Sequence, residues 1–139
     1  MVAVNKAITT IIKKQTLPLL SLIDYMICTL AASNKNPRVK QLILEKVETL
    51  LSEEFHSVKE EDLLSIFKIV KDKINGFIQK DTNANVRDAA VSLLTIFKTF
   101  LFDEPVVTEV INSLPKYRVT EIIKIATERR KTLKPKQSN

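Results

Sequence analysis

Only one glycine, Gly76, and no tryptophan occur in the 139 residues of the chain. All-β folds spend more glycine on their turns, and a phosphate-cradling loop needs several, so neither fits this sequence. The single cysteine, Cys28, excludes a disulfide framework and a cysteine-rich zinc site, and makes a reducing, cytoplasmic interior the expected compartment. The single histidine, His56, lies beside Ser57 in an expected loop, with no second histidine or nearby cysteine to complete a triad or a metal cluster. No enzymatic activity, metal or cofactor is therefore expected. The longest apolar run, Leu17 to Ala32, is broken by Ser21, Asp24, Tyr25 and Thr29 and is too short to span ~30 Å of hydrocarbon, so no membrane partner is expected. The amino terminus carries Lys6, Lys13 and Lys14 but no short apolar core before a small-residue cleavage site, so no targeting signal is read.

What remains is 45% apolar and 27% charged residues with five prolines, the mix of a globular helical protein of one-domain length. Twenty-two lysines and arginines against sixteen acids give a net charge of +6, which favours an acidic partner: nucleic acid, an anionic membrane or an acidic protein surface. Phe67, Phe77, Phe97 and Phe100 recur at helical spacing and read as core rather than as a base-stacking platform. Nucleic acid is left with charge alone in its favour and is not the expected partner.

Apolar residues at three-and-four spacing mark a series of helices. Leu19, Leu20, Ile23, Met26, Ile27 and Leu30, after Thr16 and Pro18, predict a helix over about 17–32. Asn36 as cap and Pro37 at the first helical position begin a second, about 37–53, with Val39, Leu42, Ile43, Val47, Leu50 and Leu51 inward. Ser57-Val58-Lys59-Glu60 reads as a capping box for a third, which runs to about Lys80 on Leu63, Ile66, Phe67, Val70, Ile74, Phe77 and Ile78, with Gly76 as a weak point. A fourth, about 84–101, buries Val86, Ala89, Ala90, Leu93, Leu94, Phe97, Phe100 and Leu101, and its paired alanines imply a closely packed neighbour. Lys98 is expected on its solvent face, where truncation would cost little. Pro105 opens a short helix on Val107, Val110, Ile111 and Leu114, and Pro115 a last one on Val119, Ile122, Ile123 and Ala126. Residues 1–16 read as an N-terminal segment, compatible with the remnant of a preceding helix; 17–130 as the helical body; and 131–139 as a disordered basic tail.

Residues 34–41, Asn-Lys-Asn-Pro-Arg-Val-Lys-Gln, align with 81–88, Asp-Thr-Asn-Ala-Asn-Val-Arg-Asp, at an offset of 47. Each block follows one long helix and opens another. Roughly 40 to 47 residues is the period of HEAT-type helix pairs, so the expected fold is all-α, an α-solenoid of about three such pairs with Val39 and Val86 at equivalent buried positions. The 81–90 block, ending Val86-Arg87-Asp88-Ala89-Ala90, resembles the intra-repeat turn and second helix of a HEAT repeat. The 34–41 block resembles the matching turn in the TOG domains of microtubule polymerases. Taken in order, the two turns, the final short pair with Leu114, Pro115 and Arg118, and the basic end are similar to the C-terminal half of a six-repeat TOG domain over about 17–128.

That resemblance implies that the turns contact the αβ-tubulin dimer, that the chain assists microtubule assembly or dynamics, and that it resides with microtubules at the spindle or centrosome. The residues it singles out are Lys35, Asn36, Arg38 and Lys40 in the first turn and Asn83, Asn85 and Arg87 in the second. In a solenoid such turns fall along one edge, where these charges suit an extended acidic surface. Lys40 and Arg87 have a second reading, in which each pairs with an aspartate of the neighbouring repeat and holds the stack together. Arg129, Arg130 and Lys131, with Lys134 and Lys136 beyond, offer a secondary basic stretch that could attract an acidic polymer or serve as a solubilising linker. The alternative function is a HEAT-type scaffold that binds other proteins through the solenoid surface.

Overall fold

The structure, a computed structural model, describes residues 19–54 and 58–132. The expected start of the first helix at Thr16, the residues His56 and Ser57, the segment 1–16 and residues 133–139 lie outside them. Six helices follow one another without a strand among the described residues: α1 (Leu19–Asp24, continuing as a π-helical segment Tyr25–Ala31), α2 (Pro37–Glu54), α3 (Glu60–Lys80), α4 (Ala84–Phe100), α5 (Pro105–Asn112) and α6 (Lys116–Thr132). Odd-numbered helices touch in chain order, α1 to α3 to α5, and even-numbered helices do the same, α2 to α4 to α6, while each odd helix also touches the even helix that follows it.

The core gathers on α4, which packs against α2, α3, α5 and α6. From Leu93 to Leu101 every residue of it is buried, the pattern of a helix enclosed on all sides. Phe97 meets Phe67 of α3 with ring centroids 5.0 Å apart and planes at 58°, an edge-inclined geometry that aromatic quadrupoles favour. The polar residues of this stretch satisfy themselves locally. Thr95 and Thr99 donate to the carbonyls one turn back, Val91 at 2.7 Å and Thr95 at 2.8 Å, as buried hydroxyls in helices do.

Lys98 corrects the expectation of a solvent-facing residue, being only 6% exposed. Its ammonium donates to the Phe102 carbonyl at 2.6 Å and to Thr108 Oγ1 at 3.3 Å, and lies 4.5 Å from the Phe102 ring centroid. Burial pushes its pKa down, the charge of Asp103 opposes that, and Arg130 adds to it. The α3 stripe is buried at all seven expected positions. Elsewhere the phase differs. Ala32 N–H reaches back five residues to the Ile27 carbonyl, and with this wider winding Ala31 is inside while Leu30 packs only partly against the core; in the α-helical part before it Leu22 is buried and Leu20 packs only partly. Leu44 joins the buried face of α2, Val39 is half-buried where Val86 is fully so, and Ile123 is 39% exposed rather than inward. The cap of α3 is Lys59, with no side-chain bond, and the expected box on Ser57 falls outside the described residues; Glu60, Glu61 and Asp62 place negative charge in the first turn, where the helix dipole favours it. The last helix continues through Thr132, so Lys131 is helical and the basic residues 129–131 form its final turn rather than a tail.

Gly76 sits inside the unbroken α3, and a Cβ placed there would meet nothing within 4 Å. Gly76→Ala should therefore raise stability by up to about 1 kcal/mol through helix propensity and a less flexible unfolded chain. By contrast, Leu93→Ala and Phe97→Ala should each cost about 2–5 kcal/mol, and Lys98→Ala about 1–3 kcal/mol, since it strands a carbonyl and a hydroxyl. Denaturant melts of the four variants check both signs.

Candidate functional site

The two aligned turns share their hydrogen bonding as well as their sequence. In the first, Asn34 Oδ1 accepts from Asn36 N–H at 2.8 Å, and Asn36 Oδ1 caps α2 by accepting from Arg38 N–H at 2.9 Å and Val39 N–H at 3.4 Å. In the second, Asp81 Oδ1 accepts from Asn83 N–H at 2.9 Å, and Asn83 Oδ1 caps α4 by accepting from Asn85 N–H at 2.9 Å and Val86 N–H at 3.2 Å. Each donor and acceptor has its counterpart 47 residues away. The reason is local: an extended residue carrying a short amide can reach back to the orphan N–H groups of the first helical turn.

One position of the pair differs in charge. Asn34 is neutral, but its counterpart Asp81 is an acid, and Lys40 of α2 reaches it across 41 residues at 3.0 Å. The lysine side chain is 20% exposed and the aspartate 9%. Arg87 turns to the same residue and donates from Nη1 to the Asp81 backbone carbonyl at 2.9 Å. Burial alone would raise the Asp81 carboxyl, but the Asn83 N–H, the Lys40 ammonium and the Arg87 charge outweigh it and hold the pKa below the ordinary aspartate value. Lys40 also lies 5.9 Å from the Phe77 ring centroid, within cation–π range. The next step along the even-numbered helices is made by Arg118 of α6, which pairs with Asp88 of α4 at 3.3 Å and with Glu121 at 3.4 Å. Asp88 is 66% exposed, so this second link is the weaker one.

The seven residues singled out from the turns thus divide by what they touch. Asn36 and Asn83 spend their side chains as caps, and Lys40 pairs with Asp81 of the next repeat, as its stacking reading has it, whereas Arg87 meets no aspartate of a neighbouring repeat among the described residues and bonds the Asp81 backbone carbonyl within its own turn. Lys35, Arg38 and Asn85 are exposed, and their side chains make no hydrogen bond or ion pair among the described residues. The basic stretch divides likewise. Arg130 donates to the Thr99 carbonyl at 3.0 Å and lies 5.1 Å from the Phe102 ring centroid, pinning the end of α6 to the end of α4. Arg129 is half-buried between α4 and α6, and Lys131 is exposed. Sequence reasoning did not name Asp81 or Arg118 as structural partners. The substitution of acid for amide at position 81 within an otherwise matched repeat was the available signal.

Other chemistry is sparse. Burial pushes the Cys28 thiol up to about 11, aided by a hydrogen bond to Asp24 and its negative charge and opposed by Lys73, which keeps it protonated and a poor nucleophile. Among the described residues no three His, Cys, Asp or Glu side chains gather as a metal site, and no helix is long and apolar enough to cross a membrane. Comparison with models of known protein families, with curated proteins and with solved structures finds no match to this chain.

Because the Asp81 carboxyl titrates lower in the folded chain than in the unfolded one, its contribution is present above about pH 4 and is lost as pH falls through the folded value. Asp81→Asn should therefore lower the Tm at pH 7, with the gap from the parent closing below about pH 4. Lys40→Ala should cost about 1–3 kcal/mol at neutral pH by leaving the half-enclosed carboxylate without its partner. Thermal melts across pH check both.

Proposed function

We propose that this chain is a HEAT-type helical-repeat module, α1–α2, α3–α4 and α5–α6 forming its three pairs, that holds an acidic protein surface along the edge formed by its turns. The partner we propose is the αβ-tubulin dimer, which the resemblance of the two turns to TOG domains names, and with it a place at the microtubule cytoskeleton. The observation that carries this reading is the pair of turns at an offset of 47 with the same cap bonds at each matched position. A shared backbone geometry presents the residues beside each cap in the same way. Lys35 and Arg38 of the first turn and Asn85 of the second, which stands where Arg38 does in the repeat, are the exposed ones. Lys40 and Arg87 act behind them: Lys40 ties the two turns by pairing with Asp81, Arg87 braces the second turn at the Asp81 carbonyl, and both are support rather than contact.

Exposed charge pairs contribute roughly 1 kcal/mol or less each and are screened over about 8 Å at physiological salt, so an edge with few exposed cations binds weakly and loses affinity as salt rises. Gel filtration of the chain with unpolymerised tubulin at low salt should give a complex at tens of micromolar. Lys35→Glu with Arg38→Glu should weaken it by about tenfold or more without lowering the Tm. No complex under those conditions, or a charge reversal that leaves binding unchanged, overturns the tubulin reading in favour of a scaffold that binds other proteins through the surface of its helices.

A further inference from the structure

A second basic feature lies on α3 and adjoins the second turn at Asp81. A shallow groove opens between the end of the first helix and the C-terminal half of α3, with Ala32, Gly76 and Phe77 on its floor and Lys40, Lys73 and Lys80 around it. Both acids at its margin are already paired, Asp81 with Lys40 at 3.0 Å and Asp72 with Lys71 at 3.3 Å. Lys73 and Lys80 are exposed and have no hydrogen-bond or ion-pair partner among the described residues. Two unpaired cations therefore stand over a floor left open by a missing side chain, since a Cβ on Gly76 would meet nothing within 4 Å.

We propose that this groove seats an acidic peptide segment, with carboxylates on Lys73 and Lys80 and the intervening residues over Gly76 and Phe77. Lys73 and Lys80 are two helical turns apart, roughly 10 Å along the axis, about the span of one three-residue turn of polyproline II, which returns every third side chain to the same face. The fit is thus to acidic side chains three residues apart on a peptide in polyproline II conformation. Phe77 offers an aromatic edge, and Lys40, held by Asp81 over that ring, adds positive potential without being available as a contact. Neither Lys35, Arg38 nor the caps take part, so the proposal stands or falls separately from the tubulin reading.

The test is fluorescence anisotropy of the full chain with a fluorescein-labelled peptide of repeated Glu-Gly-Ser triplets at low salt, with its Gln-Gly-Ser counterpart as control. The acidic peptide should bind and the Gln peptide should not. Lys73→Glu with Lys80→Glu should weaken binding at least about tenfold, and Lys124→Glu with Lys131→Glu on α6, an equal change in net charge, should leave it within about twofold. Gly76→Leu fills the floor at constant charge and should also weaken binding by about tenfold, which simple attraction between net charges would not give. Absence of binding at millimolar peptide overturns the proposal, as does equal loss in the α6 variant or no loss in the α3 variant. Tighter binding of oligouridylate with the same dependence on Lys73 and Lys80 would assign the groove to nucleic acid instead.

Discussion

The burial of α4 is the constraint on which the rest of the structure depends. A helix enclosed on nearly every side leaves its neighbours little choice of position, because each must cover a particular face: α3 meets Phe97 through Phe67, and the end of α6 closes over Phe102 and the Thr99 carbonyl through Arg130. Close packing makes such an arrangement stiff. It also explains why the few polar groups admitted to the interior are those that can bond within a turn of themselves, Thr95, Thr99 and Lys98.

From that centre, order is carried to the edge by charge rather than by apolar contact. Asp81 receives a backbone N–H, an ammonium and, at its carbonyl, a guanidinium, so one residue ties α2, the second turn and α4 together. Two such turns held at a fixed separation form a rigid ruler, and rigidity reduces the ordering cost of binding. The residues that make the ruler are not the ones left to touch a partner. Basic residues of the first turn have therefore been put to different uses, Lys40 engaged by Asp81 while Lys35 and Arg38 stay exposed.

Much of this was legible in the sequence, and the exceptions have identifiable causes. The α3 stripe was readable in full because a straight α-helix keeps the 3.6-residue period over its whole length. Asn36 and Asn83 were readable as the start of helices because capping is a local matter. The first helix was misphased at Ala31 because its π-helical stretch departs from that period, and nothing in the residue types announces the change. Lys98 was misplaced because α4 is enclosed also on the side where a lysine stands, and its chain is long enough to carry the ammonium to Phe102 and Thr108. A stacking use of Lys40 and not of Arg38 was open to the sequence, but which aspartate Lys40 meets is fixed only once folding brings Asp81 to it.

The π-helical stretch also bears on how this chain could change over generations. Such a segment is an α-helix that has accommodated a residue more than its regular winding needs, and removing one residue would return it to α-helical phase while turning everything before it by about 100°. Among the described residues Tyr25–Ala31 is preceded by Leu19–Asp24 alone. A shift in length there disturbs, among the described helices, the packing of the first helix on α2 and α3, whereas the same shift in α4 would misalign four neighbours at once. Tolerance to insertion and deletion should therefore be unequal along the chain, with the first helix free to drift in length while the fourth is held to its count.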